Sequence, residues 1–362
     1  MLSTTPERAR LLDDIASITF DDPIAAFRLC QPLLNEARAA SDIVGIVRAA
    51  TQLSLIEDQL GIREEGGLAI AEALQLCQQY QLTDLEPAAQ ERMGRHCYTS
   101  GDYLTAAGAW LRCLMLCGND ATRKRIRVLA LVGLAHVCSA CGDYQRSIAF
   151  LQAADRLLTG SDDIYMVAKV RITLGWDLCM IGSRDEARQM LESALAQCRE
   201  HDFGHYQAEL LLRLSELRLE EGALDTAEQM LEEAMELLVF TPSHWCEANV
   251  LAALATVRRH QGEYEQAIRL LQRGLDIANS DGMLHVEAKL RYQLAELAQA
   301  TGRQELAAEQ RQRAQVLQAQ IDQHLPVTGQ TDWYVIDDAI ARFASPIESR
   351  GRGGSSPHAG NA

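Results

Sequence analysis

A repeat of forty residues runs through most of this 362-residue chain. Successive turn glycines are separated by 40, 41, 40, 40, 40 and 40 residues, at positions Gly61, Gly101, Gly142, Gly182, Gly222, Gly262 and Gly302. A fixed period of about 20–50 residues indicates that one small unit is stacked many times, because such a unit cannot bury its apolar face alone. The period therefore predicts one elongated array rather than two or three globular domains.

The residues around each glycine are of the same kind in every copy. The fifth and twelfth residues after it are small, the seventh before it is small, and the eighth before it is apolar. Those apolar residues are Leu53, Met93, Leu134, Leu174, Leu214, Leu254 and Leu294. Small residues let two antiparallel helices approach closely, and a glycine ends the first helix in a left-handed cap. Each copy therefore predicts a helix, a tight turn and a second helix.

Prolines are rare in the repeated region. Between Pro87 and Pro326 the only proline is Pro242, in the turn-like residues 241–243. Long helices can therefore run without interruption. No stretch has the alternating pattern of a β-strand, so the pattern predicts an all-α protein.

The repeat resembles that of the tetratricopeptide-repeat (TPR) superfamily. Its elements are matched by Leu174-Gly175 in the first helix, by residues 262–267 (GEYEQA) at the turn, and by the small Gly274 seven positions later. The family unit has about 34 residues, and the longer unit here is more similar to the 40-residue variant in sensor regions of bacterial regulators. The resemblance covers about residues 21–324. It implies a right-handed α-solenoid superhelix of seven to eight helical hairpins.

The flanking segments complete the expected domain organisation. Residues 1–20 are expected to form an N-terminal cap helix before the array of residues 21–324, and the Gly-, Ser- and Pro-rich residues 345–362 a disordered tail. Residues 325–344 are expected to form a linker and a short amphipathic helix. Its apolar residues at helical spacing are Trp333, Ile336, Ile340 and Phe343. We expect this helix to cover the open end of the last repeat; docking elsewhere, on this chain or on a partner, is the alternative.

The charge balance excludes several classes of partner. The chain has 34 Lys+Arg and 50 Asp+Glu, a net charge of −16, whereas nucleic-acid-binding surfaces need phosphate-neutralising bases. The first 25 residues contain five acids and no signal-peptide core, and no apolar run approaches the roughly 18 residues that cross a bilayer. We expect no direct nucleic-acid or membrane contact and a cytoplasmic location. The bias of 31 Arg against three Lys indicates a GC-rich bacterial source.

Cysteine and histidine residues cluster in two adjacent repeats, where a zinc site is conceivable. They are His96, Cys97, Cys113, Cys117, His136, Cys138 and Cys141. Cys113, however, occupies the small position that alanine fills in other copies, which indicates a small core residue. We therefore expect no metal and reduced thiols.

Two other motifs have an ordinary explanation. The basic run of residues 123–127 is typical of a solvated helix face, with contact to an acidic partner or a nucleotide as the alternative. Residues 325–329 (LPVTG) match a sortase sorting pentapeptide but lack the apolar segment that sorting requires. No Gly-rich phosphate loop, HExxH motif or nucleophile elbow occurs. We expect no enzyme activity and no cofactor.

The TPR resemblance also implies a ligand groove on the concave side, lined by the first helix of each hairpin. The groove positions of the family lie ten, six, three and two residues before each turn glycine. The candidate partner-binding residues are Glu91, Arg95, Tyr98, His136, Trp176, Met180, Glu216, Arg259, His260, Tyr292 and Glu296. Aromatic residues there would anchor a peptide, and basic residues would bind its carboxylates. The alternative for Trp176 and Tyr98 is packing between neighbouring helices.

These observations predict a non-enzymatic function. The first hypothesis is a protein–protein interaction scaffold or regulatory adaptor that binds a peptide or protein segment in its concave groove through several aligned weak contacts. The alternative is a signal-peptide or small-ligand sensor module of a bacterial regulatory system. Such a sensor would act in trans, because residues 325–362 are too short for an output domain. The expected partner is a protein, a peptide or a small signalling ligand.

Overall fold

The computed structural model describes residues 4–19, 22–60, 62–158, 163–324 and 333–344. These residues form seventeen α-helices and no β-strand, which confirms the predicted all-α solenoid. The helices are α1 (Pro6–Ile18), α2 (Pro23–Ala39), α3 (Ile43–Leu60), α4 (Arg63–Tyr80), α5 (Glu86–Thr99), α6 (Tyr103–Cys117), α7 (Lys124–Ala140), α8 (Tyr144–Leu158), α9 (Ile164–Met180), α10 (Arg184–Glu200), α11 (Gln207–Glu220), α12 (Leu224–Phe240), α13 (His244–His260), α14 (Tyr264–Ser280), α15 (Leu284–Ala300), α16 (Gln304–His324) and α17 (Trp333–Ala339).

The first sixteen helices form eight successive hairpins in two layers. Each even-numbered helix packs against the odd-numbered helix that precedes it and, except for α16, against the one that follows it. The odd-numbered helices also contact one another in series, from α1 with α3 to α13 with α15. We call α1, α3, α5, α7, α9, α11, α13 and α15 the inner helices. Helix α1, expected as a cap, packs against α2 and α3 as the first member of this series.

The turn glycines end the inner helices as predicted. The six that the structure describes, from Gly101 to Gly302, have φ between 76° and 87°. This left-handed conformation strains any residue with a β-carbon. At the first of these turns the N–H of Asp102 donates to the carbonyl of Cys97 at 2.9 Å. The same bond recurs in the other five turns and satisfies a carbonyl that the helix end would leave unpaired.

The small positions of the repeat lie where helices cross. The residues five positions after the described glycines are each at most 2% exposed; they are Ala106, Ser147, Ala187, Ala227, Ala267 and Ala307. At Gly274, a β-carbon would lie 3.3 Å from the backbone oxygen of Ala248. Larger residues would push the helices apart and open the core, so the predicted close approach of the helices is confirmed.

A buried carboxyl group ties three consecutive helices together. Asp177 in α9 is 0% exposed and accepts hydrogen bonds from the hydroxyls of Ser139 in α7 and Ser147 in α8. Burial raises the pKa of Asp177 to about 6, and the two hydroxyls act in the opposite direction. The folded protein therefore holds a proton on Asp177 at pH values where the unfolded chain, with an ordinary pKa near 3.8, has released it.

We expect the contribution of Asp177 to stability to be lost as pH rises through about 6, because the raised folded-state pKa favours folding only while the proton is bound. Asp177→Asn keeps hydrogen-bonding atoms in place and removes this titration. Urea unfolding of both proteins at pH 4.5 and pH 7 tests the prediction: the free energy of unfolding of the wild type should fall, relative to the variant, by on the order of 2 kcal/mol. If the free energies of unfolding of the wild type and the variant changed equally between pH 4.5 and pH 7, the prediction would be contradicted.

The solenoid closes on itself. A β-carbon placed on Gly101, in the α5–α6 turn, would lie 3.7 Å from Cδ1 of Leu284 in α15 and 4.0 Å from Cγ1 of Ile321 in α16. The ring of Tyr98 in α5 lies 6.3 Å from that of His285 in α15. The end of the array therefore touches its third helical hairpin, α5–α6, and the inner helices from α5 to α15 form a closed ring.

Helix α17 lies on the outside of this ring. Ile336 and Ala339 are 8% and 3% exposed and share one apolar cluster with residues of α6 to α9 and with Ile321. The π-helical turn Ile340–Ala344 that continues α17 packs on α8, and the Asp337 carboxylate accepts a hydrogen bond from Nε of Arg146 at 2.7 Å. The main packing partner of this helix is thus α8, while Ile321 of the last repeat belongs to the same apolar cluster. The expected linker and tail fall mostly outside the described residues.

We expect Ile336→Asp to lower the free energy of unfolding by about 2 kcal/mol or more, because it places a carboxylate among apolar side chains. Tyr334→Asp is the matched control: it lies in the same helix but is 77% exposed, so its effect should stay within about 0.5 kcal/mol. Denaturant unfolding of both variants measures the difference. Equal effects would mean that α17 does not dock on α8.

Candidate ligand-binding cavity

The inner helices enclose a cavity of about 410 Å³, which we call the central cavity. Helices α3, α5, α7, α9, α11, α13 and α15 all contribute to its wall. Its charged lining residues are Asp58, Glu91, Arg95, Lys169, Glu209, Arg213, Asp281 and Lys289. Four acids and four bases balance there, although the whole chain has a net charge of −16. The central cavity is therefore richer in positive charge than the rest of the molecule.

Tyrosine and histidine rings form one side of the central cavity. The rings of Tyr98 and His136 are stacked with their centroids 5.4 Å apart. The Thr173 hydroxyl donates to the carbonyl of Lys169 at 3.1 Å, so its oxygen accepts from Nε2 of His136 at 3.2 Å. Burial, reinforced by the positive charges of Lys169, Arg95 and Arg213, lowers the pKa of His136 to about 3. His136 is thus a neutral imidazole at neutral pH.

An arginine between two indoles forms another part of the wall. The guanidinium carbon of Arg213 lies 4.5 Å from the ring centre of Trp176 and 5.4 Å from that of Trp245. Its Nη1 also donates to Glu216 at 3.0 Å. These cation–π contacts fix the indole of Trp176 while leaving it in the cavity wall. Trp176 therefore combines both roles considered from the sequence, packing and lining.

Three polar pairs form at the central cavity, two between neighbouring inner helices and one between α13 and the α14–α15 turn. Nε of Arg95 donates to Asp58 at 2.6 Å, and Nζ of Lys289 donates to Oδ1 of Asn249 at 3.1 Å. Nδ1 of His244 lies 2.7 Å from the carboxylate of Asp281. Asp58 raises the pKa of Arg95 although burial works against it. These pairs hold four of the cavity's eight charged residues in fixed positions.

The structure brings together only some of the residues predicted from the sequence. Those in the wall of the central cavity are Glu91, Arg95, Tyr98, His136 and Trp176. Outside that wall lie the exposed Met180, Arg259, His260 and Glu296, the half-buried Tyr292, and Glu216, which pairs with Arg213 and Lys289. All five wall residues belong to α5, α7 and α9, so the predicted register fits only the first part of the ring.

The predicted register fails for the later helices because the central cavity runs obliquely to the ring axis. The C-terminal end of α5 meets the N-terminal end of α15, as the contact of Gly101 with Leu284 shows. Successive hairpins are therefore displaced along the axis, and the cavity passes from the C-terminal halves of α5 and α7 to the N-terminal halves of α11, α13 and α15. Residues near the C-terminal ends of the later helices consequently face the rim.

The wall residues that the prediction missed also follow the forty-residue repeat, but at a different position relative to the turn glycine. Counted back thirteen residues from the last five turn glycines, the repeat gives Leu129, Lys169, Glu209, Asn249 and Lys289, and all five line the central cavity; the first two glycines give Arg48 and Ala88, which do not. This position lies on the same helix face as the positions nine and six before the glycine. Two of the chain's three lysines occupy it. The sequence therefore contains a pattern that predicts four of these wall residues, namely polar side chains at forty-residue spacing from Lys169 to Lys289.

The other motifs do not form sites in the described part of the chain. No group of three or more His, Cys, Asp or Glu there is placed to hold a metal ion, and Cys113 and Cys138 are 0% exposed. In the basic run, Arg123 pairs with Asp84 and Arg125 with Asp163. The LPVTG motif lies outside the described residues. No described helix is long and apolar enough to cross a membrane.

Trp110 reaches the cavity wall from the outer layer through two glycines. This residue of α6 is 2% exposed. A β-carbon on Gly133 in α7 would lie 2.1 Å from Cε2 of the indole, and one on Gly94 in α5 would lie 2.7 Å from it. The indole therefore fills the space that both glycines leave between α5 and α7.

We expect Gly133→Ala to destabilise the fold by about 1–3 kcal/mol, because the added methyl group overlaps the Trp110 ring. Gly108→Ala in α6 is the control, since a β-carbon there meets nothing within 4 Å; alanine should stabilise that helix by about 0.4–1 kcal/mol. Urea unfolding measures both. Effects of the same sign would contradict the described path of the indole.

Comparisons with known proteins agree with this architecture. Two models described as tetratricopeptide repeat match residues 206–280 and 130–157, and no curated protein matches the chain. A Rap protein complexed with competence and sporulation factor has a TM-score of 0.60 at 13% identity over 88% of this chain and 100% of that chain.

Two further solved structures have the same fold. Apo RapI has a TM-score of 0.54 at 11% identity over 75% of this chain and 99% of that chain. The apo quorum sensor NprR from B. thuringiensis has a TM-score of 0.50 at 13% identity, over 86% and 99%. Likeness at such identities concerns the fold alone. The chain therefore contains tetratricopeptide repeats over residues 130–157 and 206–280, and its described residues have the α-solenoid fold of these solved structures.

Proposed function

We propose that this chain is a non-enzymatic regulatory module that binds a short peptide or a small ligand in its central cavity. The observation that carries the proposal is the cavity of about 410 Å³ lined by charged and aromatic side chains from seven inner helices. Ligand sites of about 300–1,000 Å³ with a few convergent polar groups are typical of small-molecule recognition. A cytoplasmic location and a bacterial source stay predictions from the sequence.

Ring closure favours the sensor alternative over the scaffold hypothesis. A long segment cannot enter this cavity from the side, because α15 and α16 lie against the α5–α6 turn. It would have to thread along the ring axis or open that contact, at the cost of the apolar surface buried there. A short ligand fits without that cost.

The solved relatives support a signalling ligand. One is a Rap protein complexed with competence and sporulation factor, and another is called a quorum sensor. We infer a ligand of similar purpose for this chain, a signal peptide or small signalling molecule. A ligand that contacts both α5 and α15 would stabilise the closed ring, so its presence would be transmitted to partner proteins through the ring's shape.

Trp176 and Met180 provide a matched test, because both lie in α9 one turn apart. Trp176 lines the central cavity, whereas Met180 is 45% exposed and outside it. We expect Trp176→Ala to lower ligand occupancy about tenfold or more through loss of an aromatic anchor, and Met180→Ala to leave it unchanged. The ligand is the mass retained from a protein-free extract of the source cells, read by native mass spectrometry.

Thermal unfolding of both variants controls for misfolding, since a truncated Trp176 also loses its contact with Arg213. A retained mass that is lost from folded Trp176→Ala alone supports the proposal. Equal occupancy in the two variants, or no retained mass in the wild type, contradicts it.

A further inference from the structure

Lys169 in α9 brings a positive charge to the central cavity without a carboxylate in contact. Its Nζ donates to the hydroxyl of Tyr206 at a long 3.5 Å and lies 5.9 Å from the ring centre of Tyr165. No other hydrogen bond and no ion pair forms at this ammonium group among the residues that the structure describes. An ammonium group has three donors, so at least two of them are open to the cavity that Lys169 lines.

The other bases that act on Lys169 each have a carboxylate of their own. Nε of Arg95 donates to Asp58 at 2.6 Å, and the buried Arg92 forms an ion pair with the buried Glu91. Burial lowers the pKa of Lys169, and the charges of both arginines lower it further, while Glu91 acts in the opposite direction. Of these three bases, Lys169 alone lacks a carboxylate partner in the described part of the chain.

The phenol groups beside Lys169 lie in an excess of positive charge. Burial by itself would raise the pKa of Tyr165, but the charges of Lys169, Arg95 and Arg92 outweigh it and lower that pKa. The hydroxyl of Tyr165 also accepts a hydrogen bond from that of Tyr206, and the two ring centres are 5.3 Å apart. This part of the cavity wall therefore stabilises a negative charge.

The acid at the equivalent position of the next inner helix does not pair with Lys169. Glu209 in α11 follows Lys169 by forty residues and lines the same cavity. Within the described ranges the two form no ion pair. Burial raises the pKa of Glu209, which disfavours its charged form, although the charges of Arg213 and Lys169 act in the opposite direction. A confined ammonium group without a counter-charge costs free energy that a bound anion would offset.

We propose that the central cavity contains an anion subsite at Lys169, where the ammonium group, with the phenols of Tyr206 and Tyr165 beside it, binds the carboxylate of an acidic ligand. This inference rests on the proposed function and names the class of its ligand. One positive charge without a counter-charge matches a monoanion, whereas a dianionic phosphate would bring a second negative charge into a confined space. Small organic acids and peptides both carry such a carboxylate.

Benzoate and benzamide are matched probes, because they have nearly the same shape and differ in charge. We expect isothermal titration calorimetry on the full chain to show benzoate binding at least about tenfold more tightly than benzamide, the scale of one charge-assisted hydrogen bond. Phenyl phosphate, a dianion at pH 7.5, and the cation benzylammonium should both bind more weakly than benzoate.

The small number of lysines allows the bound carboxylate to be located. The chain has three lysines, so protein with ¹³C-labelled lysine side chains gives three sets of side-chain NMR signals, and the set lost in Lys169→Met belongs to Lys169. Benzoate should shift this set most and raise the pKa of Lys169, because a bound anion favours the charged ammonium group. Benzoate binding that shifts the signals of another lysine instead would overturn the position of the subsite.

Variants test whether the charge of Lys169 causes the preference. Lys169→Met should abolish the preference for benzoate over benzamide, whereas Lys169→Arg, which keeps the charge, should retain most of it. Lys124→Met, outside the central cavity, controls for the loss of a lysine, and thermal unfolding shows whether each variant is folded. Lys289 lines the same cavity but donates to Asn249 at 3.1 Å. Loss of the preference in Lys289→Met and not in Lys169→Met would overturn the assignment.

A pair of peptides distinguishes the two sources of the carboxylate. An N-acetylated tetra-alanine is prepared with a free or an amidated C-terminus. A preference for the free acid that Lys169→Met removes would support a peptide end at the subsite. Benzoate binding that depends on Lys169, without binding of either peptide, would support a small organic acid.

The outcomes separate this inference from the function on which it rests. Equal affinities for benzoate and benzamide, no binding of either, or tighter binding of phenyl phosphate or benzylammonium would overturn the carboxylate subsite. An extract ligand that depends on Trp176 would, in that case, keep the central cavity as a binding site. Failure of all the probes together with the absence of an extract ligand would overturn both.

Discussion

The contact between the α5–α6 turn and helices α15 and α16 determines whether the stacked hairpins form an open groove or a ring. A stack of helical hairpins left open is a solenoid with an exposed groove; once Leu284 and Ile321 meet the backbone at Gly101, the same stack becomes a ring around an enclosed space. A β-carbon at Gly101 would make only ordinary van der Waals contact with both side chains, so the glycine serves the left-handed turn, at φ 85°, and the closure depends on the two apolar side chains themselves. Helix α17 adds apolar surface to the same cluster through Ile336. The central cavity and the position of its charges inside the ring follow from this closure.

Much of the fold could be predicted because its determinants are local. The forty-residue period, the small residues at helix crossings and the glycine turns each depend on residues within one or two hairpins, and the structure confirms all three. Ring closure depends on residues about 180 positions apart, such as Gly101 and Leu284, and no repeat pattern encodes such a pairing. The position of α17 also depends on distant residues. Its amphipathic pattern predicted an apolar face, but not that α8, about 190 positions earlier in the sequence, would lie against this segment.

The candidate site could be predicted only for those inner helices whose cavity-lining residues occupy the groove positions of the family. Arg95, His136 and Trp176, six residues before their glycines, line the central cavity, whereas Glu216 and Glu296 in the same position do not. The slant of the cavity accounts for this, since it passes to the N-terminal halves of the later inner helices. Which charges stay unpaired could not be predicted, because pairing depends on distances across helices. The sequence places charges at equivalent positions; only the structure separates those that meet from those left for a ligand.

Photocrosslinking tests ring closure most directly. With p-benzoylphenylalanine in place of Leu284, irradiation and mass spectrometry should identify crosslinks to residues 97–103 around the α5–α6 turn, since a β-carbon at Gly101 lies 3.7 Å from the Leu284 side chain. The same group in place of Val239, which is 75% exposed, should give none there. Crosslinks from position 284 to neighbouring helices α13 and α16 alone would mean that the solenoid is open, and the enclosed central cavity would not exist.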